Sequence, residues 1–177
     1  IEAEEHAAPT QRFDQLEDLV AQVSSVTRTI SRRLHPKNLD AHGLSGALST
    51  LVNDLQEQHD LEIALYNEVK EEERFPSLVE MTAFRVVQEA LINVIRHADS
   101  EDAKVTLRTE ENGLRLDVAD NGTGFDPSTH PNDDAYGLDG VRERVERLNG
   151  TLYLESTEEG GTHLSATLPL SISSLSS

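Results

Sequence analysis

The sequence contains no cysteine. Disulfides, thiolate metal ligands and thiol-based catalysis are therefore excluded. No apolar run approaches the ~20 residues that a membrane-spanning helix needs, and no signal peptide is recognisable. We therefore predict a cytoplasmic segment without membrane contact. Because the chain starts at Ile1 without a methionine, we expect it to be a fragment, and it could be the cytoplasmic part of a membrane-bound protein.

Positive charge is also scarce. There are 15 lysine and arginine residues against 33 acids, which gives a formal net charge of −18, and only three of the bases are lysine. Binding to nucleic acid or to anionic membranes needs clustered basic residues, so both are excluded as functions. Abundant acid with little lysine suggests a halophilic source, and an ordinary acidic soluble protein is the alternative.

The length of 177 residues predicts one globular domain with an appendage. Composition and periodicity suggest a flexible lead-in at 1–10 and a partial helical segment with a connector at 11–43. The main domain then occupies 44–170, and the serine-rich tail at 171–177 is predicted to be disordered.

A long amphipathic helix is predicted at 12–34. Apolar residues recur there at spacings of three and four, and Pro36 ends the helix. An isolated helix cannot bury such a stripe. We therefore expect this helix to self-associate, as in a homodimer, or to fold back onto the main domain. The alternative is that the helix frays and the chain stays monomeric.

Periodicity in the remaining chain predicts an α+β fold. Helices are expected at 44–58, 78–98 and 138–149, and strands at 61–66, 104–108, 114–118, 151–155 and 162–168. The last two strands can pair only antiparallel across so short a turn. A two-layer sandwich follows, with a mixed sheet and helices on one face. Residues 125–136 cannot form a core and are predicted to be a mobile loop.

One polar stripe recurs every four residues on the helix 78–98, at Arg85, Glu89, Asn93 and His97. A carboxylate and an amide one turn apart can accept a proton and bind a hard cation, and Mg²⁺ needs only one protein oxygen besides phosphates and waters. For the stripe alone, a solvated helix face is an equally good interpretation.

Two glycine-containing motifs follow this helix. Asp120 ends an apolar strand and can accept a hydrogen bond from a purine amino group, while Gly122 and Gly124 let the backbone approach a ring closely. Gly137 and Gly140 open a helix, whose free N–H groups suit phosphate. Taken singly, the first motif is more often a turn and the second a hinge. In this order with the polar stripe, they predict a nucleotide site.

Taken together, these segments resemble the GHKL or Bergerat ATP-binding catalytic domain of two-component sensor histidine kinases. The variant with a short dimerisation domain, whose partners are LuxR-type response regulators, is the most similar. VQEALINVIRHA at 87–98 resembles the N box of that family, and DNGTGF at 120–125 resembles its G1 box. GLDGVRER at 137–144 resembles its G2 box, and GGT at 160–162 resembles its terminal hairpin motif. LHPKNLDAHGL at 34–44 resembles the end of the second dimerisation helix and the connector. The resemblance covers about residues 12 to 170.

This resemblance implies ATP and Mg²⁺ as cofactors and gives roles to residues of the polar stripe. Asn93 would bind the Mg²⁺ that bridges the ATP phosphates. Glu89 would be the catalytic residue, either as general base or by orienting the accepting imidazole. Arg96 and His97 would lie near the phosphates.

The same resemblance assigns the adenine and polyphosphate ends of the site. Asp120 would accept a hydrogen bond from the adenine amino group, and Thr162 would support that end through water. Residues 125–136 would form the lid. The remaining cofactor-binding residues would surround the base and the polyphosphate, and these are Gly122, Gly124, Gly137, Leu138 and Gly140.

The expected phosphoacceptor is missing. In the family, a histidine followed by an acid lies on the first dimerisation helix. None of the seven histidines in this chain has that setting. The seven are His6, His35, His42, His59, His97, His130 and His163. His59 precedes Asp60 but ends a different helix. We therefore predict a fragment that binds ATP but lacks its own acceptor.

The function predicted is that of the catalytic part of a histidine kinase, which transfers the γ-phosphoryl of ATP to a histidine for relay to a response regulator aspartate. A non-catalytic nucleotide-sensing or anti-sigma-type module of the same fold is the alternative. The segment 12–43 favours the kinase, because anti-sigma kinases usually lack it. The topoisomerase, Hsp90 and mismatch-repair ATPases typically need more residues than this chain offers.

Overall fold

A computed structural model describes most of the chain after its N-terminal segment, namely residues 37–70, 72–124, 135–157 and 160–171. Contacts divide the chain into two compact units, Ile1–His35 and Pro36–Ser177, and the described residues all belong to the second. The predicted lead-in, the predicted helix 12–34 and nearly all of the predicted loop 125–136 and tail lie outside the described residues. Within that part, no helix combines the length and hydropathy needed to cross a bilayer.

The described elements alternate between helices and strands. The helices are α1 (Lys37–Gln58), α2 (Ser77–Asn93) and α3 (Ala135–Arg147), and a π-helical turn, Val94–Ala98, follows α2 directly. The strands are β1 (Glu62–Asn67), β2 (Asp102–Glu110), β3 (Gly113–Asp120), β4 (Thr151–Thr157) and β5 (Gly161–Leu168).

These strands form a mixed sheet in the order β1-β2-β3-β5-β4. β1 runs parallel to β2, with Ile63 opposite Ala103, and α2 supplies the crossover that a parallel pair requires. All other neighbours are antiparallel, including β4 with β5. The predicted mixed sheet and the antiparallel final hairpin are therefore confirmed.

The core lies between one face of the sheet and the helices. Alternate residues of β3, namely Leu114, Leu116 and Val118, are buried, as the period of a strand requires. They share one apolar cluster with buried side chains of all three helices. The intervening residues of β3, Arg115 and Asp117, are only partly buried and belong to what we call the outer face of the sheet.

Three helix boundaries differ from the prediction. The helix predicted at 44–58 begins at Lys37 and continues through a kink at Gly43, where φ is 65° and ψ is −174°, so the end of the predicted connector is helical, and Leu39 is already buried in the core. The α-helix predicted to reach Ala98 ends at Asn93 and continues as the π-helical turn. The helix α3 begins at Ala135 instead of 138, so its glycines lie inside the first turns.

The end of α3 also differs in detail. Gly150 follows the predicted helix 138–149, a position where glycine commonly closes a helix, and its N–H donates to the carbonyl of Val145 at 3.0 Å. The residue with positive φ, however, is Asn149 at 55°. Asparagine tolerates this left-handed conformation better than most residues, so it provides the helix end that was attributed to glycine.

Candidate nucleotide site

Four segments meet at one edge of the sheet. The end of β3 leads into the loop at 121–124, the second half of α2 continues into the π-helical turn, and α3 begins beside α2. The hairpin between β4 and β5 completes the edge, because β5 pairs with β3. The predicted nucleotide-binding residues are thus gathered from distant parts of the chain into one region, which we call the site edge.

Asp120 is the buried carboxylate of the site edge. It ends β3 and is only 7% exposed. Its Oδ1 accepts from the backbone N–H of Gly122 at 2.9 Å, and the backbone N–H of Thr162 also donates to this carboxylate. Burial raises the pKa of Asp120, the two backbone hydrogen bonds lower it in part, and the charge of Asp102 raises it further. A ligand N–H that donates to this carboxylate would offset the free-energy cost of keeping a buried group ionised.

The loop after Asp120 packs closely against the end of the π-helical turn. The N–H of Thr123 donates to the carbonyl oxygen of Ala98 at 2.5 Å. A Cβ at Gly122 would collide with that same carbonyl oxygen, and a Cβ at Gly124 would collide with the carbonyl oxygen of Thr157. Glycine is therefore required at both positions for close packing of backbone on backbone.

The β4–β5 hairpin holds Thr162 beside Asp120. Ser156 and Thr162 are opposite each other in the strand register, and their hydroxyl oxygens lie 3.1 Å apart. The hydroxyl of Ser156 also lies 3.1 Å from the carbonyl oxygen of Gly161. This arrangement places the backbone N–H of Thr162 on the carboxylate and leaves its side chain half-buried.

The polar stripe of α2 borders α3. Glu89 and Asn93 are half-buried, and a Cβ at Gly137 would collide with Oε1 of Glu89, so the first turn of α3 lies directly on this carboxylate. Burial lowers the pKa of Arg85, as does the charge of Arg144, while the charge of Glu89 opposes them. Three residues of the stripe, Arg85, Glu89 and Asn93, are thus only partly exposed, whereas the fourth, His97, is exposed to solvent.

The other predicted residues occupy the two helix ends. Leu138 is partly buried against the core, and the carbonyl oxygen of Gly140 accepts from Nη1 of Arg144 at 2.7 Å. Arg96 and His97 are exposed on the π-helical turn. π-Helical turns are often found at functional sites, and the role of both side chains toward phosphate stays a prediction.

The donor set fits Mg²⁺ only together with a ligand. Within the described residues, no group of three or more histidine or acidic side chains could hold a metal ion. Mg²⁺ is commonly held by one or two protein oxygens together with substrate phosphates. Asn93, at the end of α2, offers such an oxygen beside the carboxylate of Glu89 one turn earlier.

Sequence reasoning missed three contributors. Ala98 acts through its carbonyl oxygen, Ser156 positions the hairpin, and Oδ1 of Asp102 accepts from the side-chain amide of Asn121 at 2.9 Å. The position of Ser156 opposite Thr162 follows from the length of the hairpin turn, so counting the register could have found it. The other two contacts join segments that no local pattern connects.

Comparison with known proteins identifies the type of domain. Residues 78–172, more than half of the chain, match the family described as histidine kinase-, DNA gyrase B- and HSP90-like ATPase. The region matched contains every predicted nucleotide-binding residue. The chain therefore belongs to this family of ATPases, and the predicted Bergerat α+β fold is confirmed.

Individual relatives and structures agree with the family. The oxygen sensor histidine kinase NreB of Staphylococcus carnosus is 29% identical over 155 residues, which are 88% of this chain and 44% of NreB. The chain thus spans less than half the length of this curated relative.

Two solved structures share the fold. The blue-light activated histidine kinase of Erythrobacter litoralis EL346 matches with a TM-score of 0.67 and 19% identity, over 96% of this chain and 63% of that one. The histidine kinase AdeS of Acinetobacter baumannii matches with a TM-score of 0.60 and 13% identity, over 96% and 87%.

Proposed function

We propose that this chain is the ATP-binding catalytic part of a sensor histidine kinase. It transfers the γ-phosphoryl group of Mg-ATP to a histidine on a dimerisation helix, from which the group passes to an aspartate of a response regulator. In this proposal the acceptor is not one of the seven histidines of this chain.

One observation carries the nucleotide assignment. Asp120 is buried, holds backbone N–H groups on its carboxylate and has a raised pKa. A carboxylate kept in such a setting at the end of a strand is typical of a ligand site. The exocyclic amino group of adenine can donate a hydrogen bond to this carboxylate. Gly122 and Gly124 form the close-packed backbone beside it, and Thr162 completes the adenine end.

The phosphate end lies along α2. Bound Mg²⁺ would neutralise charge on the phosphates and align the γ-phosphoryl group. Asn93 would contribute its side-chain oxygen to the ion, and Arg96 and His97 would contact phosphate oxygens. Glu89 would accept the imidazole proton or orient the ring. Gly137, Leu138 and Gly140, at the start of α3, would flank the polyphosphate.

The partners follow from the same proposal. We infer a response regulator of the LuxR type, from the resemblance of the connector and the four motifs, and a homodimer formed through helix 12–34 in the parent protein. NreB, which is similar over most of this chain, is itself named a sensor histidine kinase. A cytoplasmic location follows from the need for ATP and a cytoplasmic regulator.

Radiolabelled ATP tests the proposal directly. The fragment alone should bind Mg-ATP without becoming phosphorylated. Addition of a dimerisation helix that carries a histidine followed by an acid should produce acid-labile phosphate on that helix, and Glu89→Gln should slow this step much more than it weakens ATP binding. Binding of ATP without transfer to any such helix would favour the nucleotide-sensing alternative. Acid-labile phosphate on His6, His35 or His59 of the chain itself would contradict the prediction that it lacks its own acceptor.

A further inference from the structure

The most deeply buried charged side chain of the described residues lies away from the site edge. Glu80, in the first turn of α2, is 1% exposed. Asn93 ends the same helix about 20 Å further along its axis. A buried carboxylate is stable only when its charge is paired and its oxygens accept hydrogen bonds.

Arg74 forms a bidentate ion pair with Glu80. Its Nε donates to Oε1 of Glu80 at 2.9 Å and its Nη2 to Oε2 at 3.0 Å. The backbone N–H of Phe75 also donates to Oε1 at 3.0 Å. The paired geometry fixes the plane of the guanidinium group, so Arg74 presents its remaining N–H groups in one direction.

Those N–H groups reach the kink of α1. Nη2 of Arg74 donates to the carbonyl of Leu39 at 3.4 Å, and Nη1 lies 3.5 Å from the carbonyl of Asp40. Both carbonyls belong to the turn of α1 that directly precedes the kink at Gly43. Arg74 thus contacts the backbone of α1 just before the kink.

The stem of the same side chain covers the kink itself. A Cβ at Gly43 would lie 3.1 Å from Cδ of Arg74, and φ of Gly43 is 65°, a conformation that favours glycine. The kink, the arginine and the buried glutamate therefore form one unit, which we call the Arg74 clamp.

We propose that Arg74 and Glu80 are positioning residues, which lock the kink at Gly43 and thereby set the direction of residues 37–42 relative to the rest of α1. The importance of that direction for phosphoryl transfer rests on the proposed function. Residues 37–42 are the described segment that follows the predicted dimerisation helix 12–34 in the sequence, so we expect phosphoryl transfer to be sensitive to their direction. Small errors of position cost large factors in rate.

Spin labels placed on both sides of the kink test the clamp. The chain has no cysteine, so Asn38→Cys and Asn53→Cys, both at exposed positions of α1, can be labelled selectively. A straight helix would separate their Cα atoms by about 22 Å. We expect a single, narrow and shorter distance distribution in the otherwise unchanged chain.

The double variant Arg74→Met, Glu80→Met removes the clamp without leaving a buried charge unpaired. We expect the distance distribution to widen to about twice its original width, since the kink is then free to adopt other angles. The matched control is Arg108→Met, Glu110→Met, which removes an ion pair of 2.8 Å on β2 far from α1 in sequence. If the double variant does not fold, Arg74→Lys keeps the charge but loses the fork and should widen the distribution as well.

Two further measurements distinguish positioning from general stability. Mg-ATP affinity of the clamp variant should stay within about twofold of the original. Transfer to a helix supplied in trans should fall about tenfold or more. An unchanged distance distribution in a folded clamp variant, or equal widening in the control, would overturn the proposal. Absence of transfer in the unchanged chain would instead contradict the proposed function and leave the distance result interpretable.

Discussion

Asp117 and Asp120 belong to the same strand, β3, but their electrostatic environments are opposite. Asp117 lies on the outer face of the sheet, where Arg115 donates to both of its oxygens at 3.1 Å. Burial alone raises the pKa of Asp117, but the hydrogen bonds from Arg115 and Ser165 and the charges of nearby arginines outweigh it, so the pKa lies below its usual range. This carboxylate is paired and has a structural role.

Asp120, at the site edge, is more deeply buried and holds backbone N–H groups instead. Burial raises the pKa of Asp120, and the charge of Asp102 adds to the effect. The comparison teaches that strand position alone does not give a carboxylate its role. A carboxylate neutralised by arginines stabilises the sheet, whereas one whose charge the fold disfavours is suited to a ligand that can donate to it.

Adding one methyl group at the site edge should have the largest effect. In Gly122→Ala the new Cβ would collide with the carbonyl oxygen of Ala98, a backbone atom that no side-chain rotation can move, so the loop must shift away from Asp120. We expect ADP affinity, measured by calorimetry, to fall about a hundredfold, or ~2.7 kcal/mol. Ala119→Val, on the outer face, is the control and should bind normally. Equal ADP affinities of the two variants would contradict the difference between the site edge and the outer face of the sheet.

The metal role of Asn93 should produce an intermediate effect. In Asn93→Ala, Mg-ATP affinity should fall about tenfold, or ~1.4 kcal/mol, because the ion loses its protein oxygen. Adenosine, which has no phosphates, should bind as before. Asn53→Ala, at an exposed position of α1, controls for loss of an amide. A parallel loss of adenosine and ATP binding in Asn93→Ala would indicate misfolding and not a metal ligand.

The smallest effect concerns stability as a function of pH, and its sign should differ between the two aspartates. The lowered pKa of Asp117 contributes stability above the ordinary value of about 3.9, which is lost as the pH falls through the folded-state pKa. The raised pKa of Asp120 means that ionisation costs stability above its folded-state pKa, and this cost disappears on acidification.

Denaturant unfolding at several pH values measures this difference. As the pH rises through the range just below the ordinary value of about 3.9, Asp117→Asn should become less stable relative to the unchanged chain. As the pH rises through the range just above that value, Asp120→Asn should become relatively more stable. Slopes of the same sign for both variants would contradict the opposite environments.

Much of the fold could be predicted because its signals are local. The alternation of Leu114, Leu116 and Val118 is the local signal behind the strand predicted at 114–118, which the structure confirms as part of β3. Strand alternation and turn residues act over a few positions. The order of glycines and polar residues likewise predicted which segments meet at the site edge.

The parts that were missed depend on contacts between distant segments. The π-helical turn ends where the carbonyl of Ala98 accepts from Thr123, and no periodicity in α2 signals that contact. In the sequence, Glu80 is an ordinary helix residue. Only the structure shows that it pairs with Arg74 near the kink at Gly43. The parallel pairing of β1 with β2 also depends on the path of α2 and not on the residues of either strand.

Calorimetric titration with ATP of Asp120→Asn beside Asp117→Asn tests the central claim most directly. An asparagine at 120 would present an amide in place of the carboxylate that accepts from adenine. The account predicts that Asp120→Asn weakens ATP binding by about 1–3 kcal/mol, the usual cost of a mismatched buried polar partner, while Asp117→Asn binds ATP as tightly as the unchanged chain. Unchanged affinity in Asp120→Asn, or an equal loss in Asp117→Asn, would contradict the assignment of Asp120 to the adenine end.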